Sequence, residues 1–499
     1  MKSMNFGPML NAYPDSMGGN LSQIVSVLET DLKGCFDSFY ILPSLFHSDL
    51  DRGFCVIDYD LEQTLASETD LQRLKELGIG LKLDFVLNHQ SVQSKEFQDI
   101  LQKGDASPYR DFFIDWNQFW DGCGVMGQDG YILPEQKYTE NMFFRKPGLP
   151  ILMVDFPDGK SVPYWNTFYQ EKRALPDGTI HYLGQMDVNI KSPLVWESYA
   201  RTLEKLGSYG AELIRLDAFA YASKEPGKWN FLNDPETWDV LQRVQSIADA
   251  HGLTLLPEIH ASYEEKIYEV LCSKGYMTYD FFLPGLLIYA IEKKDPTTLL
   301  LWAKEIQEKK LQVVNMLGCH DGIPVLDLKG FLPEQDIQNL IDLIVERGGY
   351  VKNLHGQKGT YYQVNATYFS ALGEDEQKLL FARAVQLFMP GKPQIWYLDL
   401  FAGKNNYEAV QRAGAGGHKE INRTNLSCED MKEAMDRTVV QEQLRLLRIR
   451  STCKAFGPDS TLHLEQLDST LLFTWENADS RITLEADFEN YKYKITEEA

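Results

Sequence analysis

Short apolar runs recur along this chain, and polar or glycine-containing loops separate them from stretches with helical periodicity. Helical stretches of this kind cover residues 67–78, 235–252 and 376–389. Strands that are apolar along most of their length and alternate with helices are typical of a parallel sheet. Eight such strands predict an α/β fold built on a (β/α)8 TIM barrel. The predicted strands are residues 6–13, 36–44, 79–89, 211–219, 253–260, 277–284, 311–322 and 392–403.

Three segments depart from this alternation. Residues 90–192 are aromatic and loop-rich, which predicts an inserted domain after the third strand. Residues 323–372 predict a second loop excursion after the seventh strand, and residues 461–498 alternate apolar and polar positions as an antiparallel sheet does. We therefore expect a catalytic barrel of residues 1–89 and 193–435, an inserted domain of residues 90–192, a loop excursion of residues 323–372 and a C-terminal β domain of residues 436–499.

The composition of the chain excludes several kinds of partner and compartment. The net charge of −23 argues against nucleic acid or an anionic membrane surface as the main partner. The seven cysteines include no CxxC pair, so neither a zinc site nor a disulfide framework is indicated. The N-terminal residues lack a signal-peptide pattern, and no apolar run approaches the length of a membrane span. We expect a cytoplasmic protein.

Polar and charged side chains stand at the carboxyl ends of four predicted strands. In a barrel all these ends lie on one face, where active sites are built. A single Asp or His at a strand end is usually a cap, a turn former or an ordinary loop residue. Capping does not account for Arg215 two residues before Asp217, because residues i and i+2 of a strand share a face. The residues are Asp84, Asn88 and His89, then Arg215 and Asp217, then Glu258 and His260, and finally His320 and Asp321.

This pattern of carboxylates suits glycosidic chemistry, in which two carboxyl groups flank the bond that breaks. Arg215 beside Asp217 can keep that carboxylate ionised, as a nucleophile requires. Glu258 would then have a raised pKa and protonate the leaving oxygen. Asp321 would stabilise positive charge on the sugar ring. A retaining reaction predicts that the carboxyl groups of Asp217 and Glu258 lie about 5–5.5 Å apart.

Four short segments resemble, in order, the four conserved regions of the α-amylase superfamily. Three further segments resemble one branch of it, the sucrose phosphorylases, and the similarity extends over nearly the whole chain. The superfamily segments are DFVLNH (84–89), IRLDAFAY (214–221), LLPEIH (255–260) and MLGCHDG (316–322). The branch segments are DRGF (51–54), YYQVNATYFSALG (361–373) and EINR (420–423).

The resemblance implies a glycosyltransferase that acts by phosphorolysis, with sucrose as the first substrate to expect. Asp217 would form a β-glucosyl ester, and inorganic phosphate would take the glucosyl group as α-glucose 1-phosphate. The implied partners are a small sugar and phosphate, with no metal or organic cofactor, in a monomer or a homodimer. By position, the glucosyl ring would be held by Asp51, Phe54, His89, Arg215, His320 and Arg423. The remaining substrate-binding residues, mostly facing the acceptor or phosphate, would be Phe168, Gln185, Tyr221, His260, Tyr362 and Gln363.

The chain departs from the branch pattern on the acceptor side. Lys146 stands where an Arg is usual, Thr360 where an Asp is usual, and Gly318 replaces another Asp. Lys146 and Thr360 are therefore candidates for contact with the acceptor or phosphate. Tyr362 stands where relatives that release fructose 6-phosphate usually have His, which argues against that leaving group. Fructose, fructose 6-phosphate, glycerol and glycerate all remain possible leaving groups.

Two other functions are compatible with the barrel fold. An α-glucosidase or transglucosidase would use the same three carboxylates without phosphate. A catalytically silent binding barrel is disfavoured, because such relatives normally lose one of these carboxylates. Lys172 and Arg173 could bind phosphate, but a position on a solvated loop is the simpler expectation for them.

Overall fold

The computed structural model describes residues 6–145, 148–353, 361–414 and 417–498, with the side chains of 352–353 and 361–362 left aside. Eight parallel strands form one sheet in the order β5-β4-β3-β2-β1-β8-β7-β6, and β5 and β6 approach each other to complete a barrel. This confirms the α/β barrel. The strands are β1 (Met9–Ala12), β2 (Ser38–Ile41), β3 (Gly80–Val86), β4 (Ala211–Asp217), β5 (Thr254–Pro257), β6 (Thr278–Asp280), β7 (Val313–Met316) and β8 (Lys392–Trp396).

Helices connect the strands and bury one face against the barrel. The helix Glu68–Glu76 shows why: Ser67 and Asp70 form a capping box at its start, and Leu71 and Leu74 face the core. The longer helices are Leu21–Glu29, Glu68–Glu76, Lys95–Lys103, Pro193–Ser208, Glu236–Ala250, Ile267–Ser273, Leu283–Lys293, Thr297–Glu308, Glu334–Glu346, Glu376–Phe388, Tyr407–Ala413, Cys428–Met435 and Thr438–Thr452. Single-turn helices span Trp116–Phe119, Gln136–Thr139, Tyr368–Ala371 and Tyr397–Leu400.

The segment after β3 contains short antiparallel strands and a separate apolar cluster. Trp116, Trp120 and Trp165 form the centre of that cluster, which gives the aromatic-rich sequence a core of its own. Strand Ile180–Asp187 pairs with strand His89–Ser91 directly after β3, so this segment is fixed to the carboxyl end of the barrel. The other strands of the segment are Gly124–Met126, Ile132–Pro134, Ile151–Asp155, Ser161–Trp165 and Gln170–Ala174.

Two smaller antiparallel sheets lie on the same side of the barrel. The segment after β7 contributes strands Ile323–Pro324, Tyr350–Asn353 and Tyr361–Asn365. Strands Phe46–Ser48 and Val56–Leu61 form a hairpin after β2. These segments follow the carboxyl ends of barrel strands, where they can border the site.

The C-terminal residues form a four-stranded antiparallel sheet, as the alternating pattern predicted. Its strands are β9 (Thr461–Leu467), β10 (Thr470–Glu476), β11 (Arg481–Asp487) and β12 (Lys492–Glu498). Phe488 contacts Phe381 of a barrel helix edge-on, with ring centroids 4.8 Å apart. Among the described residues, no helix has both the length and the apolar character needed to cross a membrane.

Candidate active site

One buried guanidinium organises the carboxyl ends of three neighbouring strands. Arg215 Nη1 lies 2.6 Å from Asp84 Oδ1 and 2.8 Å from Asp217 Oδ1. Its Nη2 lies 2.8 Å from Glu258 Oε1. Because both nitrogens belong to one planar group, the carboxylates of Asp217 and Glu258 lie side by side. The structure thus brings together residues that are far apart in sequence.

A polar layer deeper in the barrel supports this centre. The Tyr40 hydroxyl donates to Asp84 Oδ2 at 2.8 Å, which leaves the other carboxylate oxygen for Arg215. Lys82 lies two residues before Asp84 on the same face of β3. It donates to Gln394 Oε1 at 2.7 Å and to the Tyr279 hydroxyl. Burial lowers the pKa of Lys82, and its ammonium nitrogen is satisfied by hydrogen bonds to neutral groups. A hydrogen-bonded polar layer therefore lies directly beneath the site.

Asp321 lies beside two cations, Lys419 and Arg423, and beside the imidazole of His320, whose pKa burial lowers to about 3. Lys419 Nζ is 2.5 Å and Arg423 Nη2 is 3.5 Å from Asp321 Oδ1, and His320 Nε2 is 3.4 Å from Oδ2. Burial raises the pKa of Asp321, but His320, Lys419 and Arg423 together lower it by more than burial raises it. The pKa therefore lies well below its ordinary value. Arg423 also lies 3.6 Å from Asp51 Oδ1 through Nη1. Asp321 is an ionised carboxylate at neutral pH.

Rings and an amide form the wall next to Asp321. The rings of Phe54 and His320 stack with centroids 4.9 Å apart. Gln185 Nε2 lies 3.1 Å from both the Phe54 carbonyl oxygen and His89 Nε2. These four side chains are buried and meet at the mouth of the barrel. Flat rings with fixed polar groups between them suit a sugar ring.

The wall continues through Phe168 to Tyr221. The Phe168 ring lies 4.9 Å from His89 and 5.4 Å from Tyr221, measured between centroids. Arg145 lies over the Phe168 ring at 5.1 Å and donates from Nη1 to the Tyr221 hydroxyl at 3.2 Å. A guanidinium therefore stands at the rim on the Tyr221 side.

Glu258 borders a cavity together with His260. His260 Nε2 lies 3.6 Å from Glu258 Oε1, and His260 Nδ1 lies 3.2 Å from Asp327 Oδ2. The cavity is also lined by Asp321 and Gln363. It extends down the barrel to Tyr40, Tyr279, Met316 and Gln394.

The protonation of the central pair differs from the sequence expectation. Burial raises the pKa of Asp217 to about 8, against the Arg215 charge, and neighbouring carboxylates add to the rise. Burial also raises the pKa of Glu258, but Arg215 and His260 lower it more, so it lies below its ordinary value. Because the two carboxylates share Arg215, they bind protons as a coupled pair. The raised pKa that the sequence predicted for Glu258 is found on Asp217 instead.

Three residues predicted on the acceptor side cannot be placed. Lys146 and Thr360 lie outside the described residues. Tyr362 belongs to strand Tyr361–Asn365, but its side chain also lies outside the description. Their contacts with the acceptor or phosphate stay predictions.

Lys172 and Arg173 lie on an exposed hairpin and pair with acidic neighbours. Lys172 Nζ is 2.7 Å from Asp155 Oδ2, and Arg173 Nη2 is 2.7 Å from Glu171 Oε1. Charges paired at the surface in this way fit the solvated-loop interpretation.

Sequence reasoning missed three residues that support the site. Lys419 pairs with Asp321, and Asp327 pairs with His260. Lys224 is buried and lies 2.8 Å from Asp187 Oδ2 and 2.9 Å from Asn88 Oδ1. Lys419 stands four residues before Arg423, a helical spacing that could have drawn attention to it. Lys224 begins the segment KEPG (224–227), which resembles the sucrose phosphorylases, whereas the sequence carries no comparable local signal for Asp327.

The chain is similar to known proteins over most of its length. The alpha-amylase catalytic-domain family matches residues 19–281. A sucrose 6(F)-phosphate phosphorylase of Ilumatobacter coccineus is 53% identical over 501 residues, which cover 98% of this chain and 95% of that protein. A sucrose phosphorylase of Streptococcus mutans is 32% identical over 497 residues, covering 98% of this chain and 97% of that protein.

A solved structure is similar over the whole length. The crystal structure of sucrose 6F-phosphate phosphorylase from Thermoanaerobacter thermosaccharolyticum has a TM-score of 0.89 and 32% identity, covering 99% of this chain and 96% of that one. Barrel, site and relatives together define a glycosyltransferase that acts by phosphorolysis. The chain belongs to the α-amylase family, in its sucrose phosphorylase branch.

Proposed function

We propose that this enzyme is a retaining α-glucoside phosphorylase that works by double displacement. The observation that carries the proposal is the Arg215 guanidinium, which lies 2.8 Å from both the Asp217 and the Glu258 carboxylates. One guanidinium can hold two carboxylates close enough for one to attack the anomeric carbon while the other serves the leaving oxygen. A water molecule between them would need the wider spacing of an inverting enzyme.

In the first step, an Asp217 carboxylate oxygen attacks the anomeric carbon. The bond to the leaving oxygen breaks, its electron pair stays on that oxygen, and Glu258 supplies the proton. The product is a β-glucosyl ester of Asp217. The ionised Asp321 carboxylate stabilises the positive charge that develops on the ring.

This step needs a proton on Glu258 and a charge on Asp217, whereas the pKa of Asp217 is raised and that of Glu258 is lowered. The two carboxylates share Arg215, so they bind protons as a coupled pair. A bound glycoside presents its leaving oxygen to Glu258 and its electron-poor carbon to Asp217. Both contacts favour a proton on Glu258 and a charge on Asp217. Substrate binding therefore redistributes the proton for the reaction.

In the second step, a phosphate oxygen attacks the same carbon. The ester bond breaks with its electron pair returning to Asp217, and Glu258 accepts the proton of the attacking group. Two displacements on one carbon retain its configuration, which gives α-glucose 1-phosphate. Only side chains and the two substrates take part, so we expect no requirement for a metal or an organic cofactor.

The glucosyl ring is proposed to bind among the residues next to Asp321. Arg423 lies between the Asp51 and Asp321 carboxylates, at 3.6 and 3.5 Å. The stacked rings of Phe54 and His320 offer a flat face. His89 is fixed by contacts with the Phe54 carbonyl oxygen at 2.8 Å and with Gln185.

We propose fructose 6-phosphate as the leading candidate for the leaving group and fructose as the next candidate. The sequence pattern placed sucrose first, and Tyr362 argued against the phosphorylated sugar. That argument rests on one residue, whereas a sucrose 6(F)-phosphate phosphorylase shares 53% identity over nearly the whole chain. Arg145 adds a positive charge at the rim beside Tyr221. Glycerol and glycerate are the remaining candidates.

A donor panel tests the proposal. Sucrose 6F-phosphate, sucrose, glucosylglycerol and glucosylglycerate are each incubated with and without phosphate, and glucose 1-phosphate and glucose are measured. We expect one donor to give α-glucose 1-phosphate only when phosphate is present. If phosphate left the products unchanged for every donor, the enzyme would be a glucosidase or transglucosidase instead.

We also propose that the protein is cytoplasmic and is a monomer or a homodimer. Its chain is proposed to divide into the four segments that the sequence indicates. The net charge of −23 and the absence of CxxC pairs support that compartment. Light scattering on the purified protein distinguishes the two oligomeric states, and limited proteolysis tests the domain boundaries.

A further inference from the structure

His260 stands between two carboxylates. Asp327 Oδ2 lies 3.2 Å from Nδ1, and Glu258 Oε1 lies 3.6 Å from Nε2. Asp327 belongs to the short turn Leu326–Leu328 in the segment after β7 and is buried. An imidazole whose two nitrogens both face carboxylate oxygens is most stable with a proton on each. His260 is therefore a cation in this setting.

The ring of His260 is also fixed in place. It stacks on Phe281 with centroids 3.8 Å apart, which limits rotation about the side chain. Burial lowers the pKa of His260, but Asp327 and Glu258 raise it more, to about 9. Arg215 lies on the far side of Glu258, and Asp321 lines the same cavity.

When phosphate enters, Asp217 is esterified, but the site still contains the carboxylates of Glu258 and Asp321. These negative charges repel an anion but not a water molecule. The cations Arg215 and Lys419 are bonded to those carboxylates. His260 adds a positive charge at the cavity wall next to Glu258, where the second substrate attacks.

We propose, on the basis of the phosphorolysis proposed above, that Asp327 is a positioning residue which holds His260 as a fixed cation for phosphate. Asp327 touches neither substrate. It acts by keeping the proton on Nδ1 and by directing Nε2 towards Glu258 and the cavity. The pair thereby favours transfer to phosphate over transfer to water.

The test uses α-glucosyl fluoride as donor, since its fluoride leaves without the natural acceptor. Asp327→Asn should raise the KM for phosphate about tenfold, because a charge-assisted contact weakens. Hydrolysis measured without phosphate should stay within about twofold of the unmodified enzyme, since water needs no cation. Asp37→Asn is the matched control: it removes a buried partner of Lys392, 2.7 Å away at the opposite end of the barrel, and should leave the KM for phosphate unchanged.

The pH dependence provides a readout that a merely structural role would not move. The charge on His260 is present below its pKa and is lost above it. The KM for phosphate should therefore rise above about pH 9 in the unmodified enzyme. In Asp327→Asn the rise should begin at lower pH, because the carboxylate that raises the pKa of His260 is gone. Titration of phosphate itself is common to both proteins, so the difference reports His260.

The outcomes separate the two proposals. An Asp327→Asn enzyme with an unchanged KM for phosphate and an unchanged alkaline limit overturns the role of Asp327. An unmodified enzyme that forms no glucose 1-phosphate from the fluoride contradicts phosphorolysis itself. Should Asp327→Asn fail to fold, His260→Gln gives the same decision: a raised KM for phosphate without a change near pH 9 supports the proposal, and an unchanged KM refutes it.

Discussion

At the scale of single residues, the site depends on how one cation distributes its hydrogen bonds. Arg215 contacts Asp84, Asp217 and Glu258, so no one of these carboxylates has a pKa independent of the others. This explains why the strand-end pattern located the carboxylates but did not predict the direction of their pKa shifts. The pattern fixes which groups converge, whereas the proton depends on burial and on the geometry of the shared guanidinium.

The assignment of Asp217 as nucleophile predicts a covalent intermediate. In Glu258→Gln, α-glucosyl fluoride should still glucosylate Asp217, since fluoride leaves without acid assistance. Loss of the general base should slow the second step by about 10²–10⁴-fold, so the ester should accumulate. Peptide mass spectrometry after acid quenching locates the added glucosyl group. Labelling of any other residue, or a β-configured product, would contradict the assignment.

Lys419 should set the acid limit of activity. Its contact with Asp321 lowers the pKa of that carboxyl, whose ionised form the first step needs. Lys419→Met should therefore raise the pKa of Asp321, so that activity is lost at a higher pH as the solution is acidified. The profile of kcat/KM against pH measures this shift. Lys404→Met, which removes an exposed partner of Glu374, is the control and should keep the original acid limit.

At the scale of elements, the structure shows where strands give way to the site. The predicted strand 211–219 ends at Asp217 because Ala218 adopts a positive φ of 51°, and the chain then turns through Phe219–Tyr221. The turn directs Tyr221 towards Phe168. Hydrophobic patterning continues through such turns, so it predicted the existence of the barrel strands better than their ends.

Lys224 should stabilise the join between two of these elements. Its ammonium contacts Asp187 Oδ2, Asn88 Oδ1 and the Tyr221 carbonyl oxygen, linking the turn after β4 to strand Ile180–Asp187. Lys224→Met keeps much of the side-chain volume but leaves the buried Asp187 carboxylate without a cation, with only the neutral donors Asn88 and Thr167 beside it. We expect a loss of about 3–5 kcal/mol in the free energy of unfolding.

The same variant should also raise the KM for the glycoside. It removes the contacts of Lys224 with the Tyr221 carbonyl oxygen and with Asn88, the residue before His89. Urea unfolding and steady-state kinetics measure the two effects. Lys228 lies four residues further on and pairs at the surface with Glu236, the first residue of helix Glu236–Ala250. Lys228→Met breaks this pair and should change neither the free energy of unfolding nor the KM appreciably. Equal stability of Lys224→Met and the unmodified enzyme would contradict this role.

At the scale of the whole molecule, periodicity and the order of strand-end residues were enough to predict the barrel and the C-terminal sheet. The residues that complete the site were not predictable in this way. Asp327 and Lys419 reach His260 and Asp321 only through the folding of long segments after β7 and β8. Lys419 has only its helical spacing to Arg423 as a local signal and Asp327 has none, so the tertiary structure is needed to assign both residues to the site.

The C-terminal sheet should stabilise the barrel without taking part in the reaction. Phe488 is fully buried and contacts Phe381 of helix Glu376–Phe388. Phe488→Ala should lower the free energy of unfolding by about 3–5 kcal/mol, the usual cost of removing a buried aromatic ring. Phe488→Leu, which keeps part of the apolar volume, should lose less.

Both variants should keep the KM values for donor and phosphate at temperatures well below unfolding, because Phe488 packs on the outer helix rather than on a strand end. Thermal unfolding and kinetics at 25 °C separate the two properties. A changed KM in Phe488→Leu would mean that the sheet influences the site through the helix. Unchanged KM values with lowered stability would instead show that substrate binding does not depend on the sheet, which contributes by covering the apolar face of that helix.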